Sequence, residues 1–117
     1  MTERKEFDMD SLRAKKGFII DMDGVIYHGN QLLDGAETFV NWLYSENKKF
    51  LFLTNASERS PRELRQKLMR MGLDVDESHF YTSALATAKF LRKQAPGCSA
   101  YVIGAPGLLN ALYEQGI

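Results

Sequence analysis

Two aspartates one residue apart, Asp21 and Asp23, end the apolar run Phe18-Ile19-Ile20 and are followed by Gly24. On an extended segment, side chains two apart point the same way, so both carboxylates address one ligand while Met22 turns back into the protein. Paired carboxylates repel; a cation between them or a retained proton removes that cost, and either state suits phosphoryl transfer. A carboxylate that attacks phosphorus forms an aspartyl-phosphate and divides ester hydrolysis into two displacements. The second carboxyl then protonates the departing alkoxide and later takes a proton from the attacking water. Gly24, lacking a Cβ, lets the backbone approach a phosphate and present its N–H.

A second polar signature, Thr54-Asn55-Ala56-Ser57, closes the apolar run Phe50 to Leu53. The Thr54 hydroxyl and the backbone donors of the following turn suit non-bridging phosphate oxygens. Alone, each signature has a plainer use: an acidic pair after a strand caps turns, and Thr and Asn commonly end strands. A calcium loop of the EF-hand type fails on spacing, because Val25 and Ile26 stand where a polar ligand and a glycine belong and Leu32 replaces the bidentate Glu. Receiver domains place their acceptor aspartate after a third strand, where this chain has Gly104.

The positioning elements follow from apolar periodicity. Gly17 to Asp21 and Phe50 to Leu53 are contiguous apolar runs, as expected of strands buried on both faces. Between them, Asp34 as cap, Glu37 three residues on, and Ala36, Phe39, Val40 and Leu43 predict a helix ending near Asn47. Ser60, Pro61 and Glu63 predict a capped helix whose stripe is Leu64, Leu68 and Met71, ended by Gly72. Thr82 or Ser83 starts a further helix carrying Ala84, Ala88 and Leu91 inward until Pro96 and Gly97. Tyr101 to Ile103 reads as a third strand, and Leu108 to Glu114 as a last helix. Strands alternating with helices argue for a parallel sheet with helices on both faces, a Rossmann-like three-layer α/β/α arrangement. Ligands of such sheets sit beyond the carboxyl ends of the strands, so both signatures are expected on one rim.

With 117 residues, 44% hydrophobic and 26% charged, the chain is sized for a single domain or a piece of a larger one. Fifteen basic and fifteen acidic residues cancel, leaving no global field for nucleic acid or an anionic membrane. The single Cys98 fits a reducing cytosol and excludes a disulfide framework. Residues 1–16 form a charged arm without the apolar stretch of a signal peptide, expected to fray, although Phe7 and Leu12 offer docking groups. No segment has the apolar length of a membrane span. The expected setting is the cytoplasm.

Asp21-Met22-Asp23-Gly24-Val25-Ile26-Tyr27-His28-Gly29 and Leu53-Thr54-Asn55-Ala56-Ser57 resemble the first two motifs of the haloacid dehalogenase (HAD) superfamily, specifically its NagD-like phosphatases with a large inserted cap. The likeness continues through Thr82-Ser83-Ala84-Leu85-Ala86-Thr87-Ala88 and Tyr101-Val102-Ile103-Gly104, and so covers nearly everything after Lys16. It implies a HAD-like core over residues 17–117 and a magnesium-dependent (Mg2+) phosphomonoesterase. Asp21 would be the nucleophile and a metal ligand, and Asp23 the general acid and base that also offers its carbonyl to the metal. Thr54 and Asn55, beside the Gly24 N–H argued above, would bind the phosphate of a small phosphorylated metabolite: a sugar phosphate, a nucleoside monophosphate or phosphoglycolate.

The chain also departs from that pattern. The family's later lysine and its later strand-terminal acids have no counterpart: after Glu77 the only acid is Glu114, and Lys89 and Lys93 read as solvated helix charges. The cap is missing as well. The resemblance therefore implies the front portion of a longer enzyme, with little turnover by itself and with the first strand's edge covered by a second copy or by a C-terminal half. The alternative is a non-catalytic assembly module derived from such an enzyme.

Overall fold

The computed structural model describes residues 8–55 and 58–117. Phe7, Ala56 and Ser57, to which expectations were attached above, lie outside them. In chain order the elements are α1 (Met9–Arg13), β1 (Gly17–Asp21), β2 (Tyr27–His28), β3 (Gln31–Leu32), α2 (Ala36–Ser45), β4 (Lys49–Thr54), α3 (Pro61–Arg70), a short 3-10 turn (Glu77–His79), β5 (Phe80–Thr82), α4 (Ser83–Gln94) and α5 (Pro106–Glu114).

The sheet is parallel, in the order β1-β4-β5, with Phe18 opposite Phe50, Ile20 opposite Phe52 and Phe52 opposite Phe80. Strand alternation puts these five side chains on one face, where Ala36, Val40 and Leu43 of α2 and Leu64 and Leu68 of α3 complete the main core. Phe52 stacks on Phe80 at 5.6 Å between centroids, and Phe18 meets Trp42 of α2 edge-on at 5.7 Å. Burying these large rings is the main stabilising term available to a sheet this small.

The opposite face is only partly layered. Ala86 of α4 shares a groove with Ile19, Leu53 and Tyr81, so helix reaches that face beside β5. Over β1 nothing covers it among the described residues: Ile19 is 75% exposed, and β1 is an edge strand. The α/β class with a parallel sheet is as expected; the second helical layer is incomplete.

Three local expectations need correction. Tyr101 to Ile103 is not a strand, and the third strand is β5 instead. Tyr101 and Ile103 are 94% and 90% exposed while Val102 packs against the small cluster of Ala84, Ala88, Ala111 and Leu112 between α4 and α5. A three-residue apolar run is a strand only when a neighbour pairs with it, and here α5 folds back onto α4 instead. Asp34 does not cap α2; Gly35, at φ 85°, stands at that position and makes no side-chain cap. Part of the expected frayed arm is ordered as α1, whose Asp8 carboxylate accepts from the N–H groups of Asp10 and Ser11. By contrast, α3 starts as predicted: Ser60 caps, Glu63 reciprocates, and Pro61 occupies the first turn. No helix among the described residues is long and apolar enough to cross a membrane.

Candidate active site

Asp21 is the last residue of β1 and pairs in register with Leu53, which places Thr54 one residue further along β4 on the same rim. Asp21, Asp23, Thr54 and Asn55 line one cavity of about 410 Å³. Met22, between the two acids, is 1% exposed, so alternation sends it into the core and both carboxylates toward solvent. The Asp21 carboxylate accepts the Met22 N–H at 2.8 Å, which fixes its side chain over the strand end.

After β1 the chain turns sharply. Val25 and Ile26 donate their N–H groups to the Met22 carbonyl at 3.1 and 2.8 Å. The Gly24 N–H, expected at a phosphate, donates instead to the Tyr27 carbonyl at 2.8 Å, and Gly24 does not line the cavity. What Gly24 supplies is its φ of 80°, a left-handed conformation that other residues adopt only at a cost. Asp23 bridges Tyr27 in the same turn, and the antiparallel β2–β3 hairpin then carries the chain away.

On the neighbouring strand, the Asn55 carbonyl accepts from the Ser83 hydroxyl at 2.9 Å, tying the end of β4 to the start of α4. Thr82, buried at the end of β5, accepts the Leu85 N–H with its hydroxyl and so caps that helix. Ser83 is a supporting residue that sequence reasoning assigned only to a helix start.

Sequence reasoning also missed the cations. Arg59 and, on α3, Lys67 line the same cavity as the two aspartates, together with Glu58. The Lys67 ammonium stands 4.3 Å from the centre of the buried Tyr27 ring. Helical periodicity marks Lys67 only as the polar neighbour of Leu68, and nothing local says that its flank of α3 faces the rim. Lys89 is exposed, its ammonium 5.3 Å over the Tyr81 ring, and does not line this cavity.

Among the described residues no three His, Cys, Asp or Glu side chains converge as a metal cage. The two aspartates still fit magnesium, which is commonly held by one or two carboxylates with waters and substrate phosphate completing six oxygens.

The chain is similar to known proteins over most of its length. The model of the haloacid dehalogenase-like hydrolases matches residues 18–117. The acid sugar phosphatase of Staphylococcus saprophyticus is 42% identical over 106 residues, 91% of this chain and 41% of that protein. Among solved structures, NagD from E. coli K-12 superposes with a TM-score of 0.81 at 40% identity, covering 86% of this chain and 40% of that one. The 4-nitrophenylphosphatase of Thermotoga maritima superposes with a TM-score of 0.82 at 34% identity, covering 90% and 40%. The chain thus spans about two fifths of the length of these relatives. Similarity over nearly all of this chain makes it a member of the haloacid dehalogenase-like hydrolase family, in its NagD-like group.

Proposed function

We propose that this chain carries the nucleophile half of a magnesium-dependent phosphomonoesterase. The observation that supports it is the meeting of Asp21, Asp23, Thr54 and Asn55 in one cavity at the carboxyl ends of two adjacent parallel strands. Asp21 attacks phosphorus to form an aspartyl-phosphate and expel the alkoxide, which takes the Asp23 proton. Asp23, now a base, accepts a proton from the water that cleaves the acyl phosphate, and Asp21 is regenerated. Thr54 and Asn55 hold the non-bridging oxygens. The Asp21 carboxylate and the Asp23 carbonyl would hold magnesium, which when bound would offset the charge of the phosphate and the nucleophile. The names of its relatives favour sugar phosphates as the substrate class, with nucleoside monophosphates and phosphoglycolate as the other candidates. The cytoplasm is the proposed setting.

The test is magnesium-dependent phosphate release from sugar phosphates and 4-nitrophenyl phosphate, by the 117-residue chain and by the chain completed to the length of its relatives. Little turnover is expected from the first and clear turnover from the second, lost in Asp21→Asn. Release that survives Asp21→Asn overturns the nucleophile assignment.

The exposed Ile19 and the edge position of β1 favour a second reading, in which the chain serves as an assembly module. Its edge is then covered by another copy or by further chain. A stable, cooperatively folding monomer in sedimentation experiments counts against that reading.

A further inference from the structure

The acid-lined cavity lacks positive charge for its task. Among the described residues that line it, Asp21, Asp23 and Glu58 stand against Arg59 and Lys67, and a phosphate dianion brings more negative charge. Resting on the phosphatase reading, we propose that Lys67 is the protein's own phosphate-binding cation, held in place by the Tyr27 ring. It is distinct from the later lysine that the family resemblance implies.

Three observations carry the assignment. First, Lys67 follows Leu64 by three residues on α3, and Leu64 both belongs to the core and lines the cavity. Residues three apart share a helix flank, so the core contact of Leu64 and Leu68 fixes which way the base of Lys67 faces. Second, the Lys67 ammonium lies 4.3 Å from the Tyr27 ring centre. An aromatic face attracts the charge without saturating the three N–H donors, so the group is placed yet still able to bind an anion. Among the described residues Lys67 makes no ion pair.

Third, the turn that places Asp23 also places Tyr27. Asp23 bridges Tyr27, and the Gly24 N–H donates to the Tyr27 carbonyl. The acid and the ring that steadies the lysine are therefore set by one hydrogen-bonded turn. Arg59 is less suited, because it sits in a bend before α3 rather than on a packed element.

Binding of inorganic phosphate to the full 117-residue chain, followed by phosphorus NMR in magnesium buffer, tests the proposal. Lys67→Met is expected to weaken binding about tenfold, as loss of one charged contact does, with Lys67→Arg retaining most of it and both variants melting with the native chain. Native-like binding by Lys67→Met overturns the proposal. Thr54→Val separates it from the reading beneath it: loss in Thr54→Val alone removes only the role of Lys67. No phosphate binding by the native chain, or loss in neither variant, removes both.

Discussion

Asp21 lies opposite Leu53 in the parallel register of β1 and β4, so the first acid and Thr54 end adjacent strands one residue apart. Everything the site does depends on that register. A slip of one residue would send Asp21 to the core face and bring Met22 to the rim.

The Asp21 carboxylate serves the fold as well as the proposed chemistry, because it accepts the Met22 N–H at 2.8 Å. Asp21→Asn keeps an acceptor oxygen and is expected to leave stability nearly unchanged. Asp21→Ala removes it and is expected to cost about 1 kcal/mol. Urea titrations of the two variants should differ by that amount, and equal midpoints would refute the structural part of the claim.

Gly24→Ala isolates a backbone cost. A Cβ built there meets no atom within 4 Å, yet φ is +80°. The loss is expected to be about 1–2 kcal/mol, from the left-handed conformation alone. Thermal denaturation checks it, and a variant as stable as the native chain contradicts the turn geometry.

Ser60→Ala tests the start of α3, the helix that carries Lys67. Ser60 accepts the Glu63 N–H while Glu63 accepts the Ser60 N–H. Removing the hydroxyl is expected to cost about 1 kcal/mol. Amide exchange should speed up at Glu63 first, and unaltered protection at that amide is the contrary outcome.

Asp76 sets a pH dependence. The Ser78 hydroxyl hydrogen-bonded to it outweighs the opposing desolvation and, with lesser help from the Glu77 backbone, the Arg65 charge and the Ser78 backbone, holds its carboxyl below its ordinary value of 3.8. A carboxylate depressed by folding stabilises above its unfolded pKa, and the contribution fades as pH falls through the folded value. Ser78→Ala is therefore expected to lower the urea midpoint at neutral pH and to converge with the native chain as pH falls through the lowered value for the folded state. A difference between the two that stays constant down to acid pH would contradict the linkage.

Much of this was legible locally. The Gly17 to Asp21 strand appears with the residues expected, β4 extends Phe50 to Leu53 by one residue at each end, and the capping box of α3 is where its sequence signature put it. These features rest on contiguous apolar residues or on hydrogen bonds between near neighbours, which the sequence spells out. The aspartate pair flanking a buried Met22 is equally local, since alternation along one strand decides it.

What the tertiary structure decided concerns partners distant in sequence. Phe80–Thr82 became the third strand because Phe80 finds Phe52 beside it, whereas Tyr101 and Ile103 pair with no strand among the described residues and stay exposed. Exchange of the Gly24 N–H for the Tyr27 carbonyl took it from the expected ligand set. Lys67 came to the rim only when α3 packed on the sheet and met Tyr27, forty residues earlier in the chain. Periodicity can say that a side chain is outside a helix's apolar stripe; which surface that outside faces is settled by packing between elements, and so by the whole chain at once.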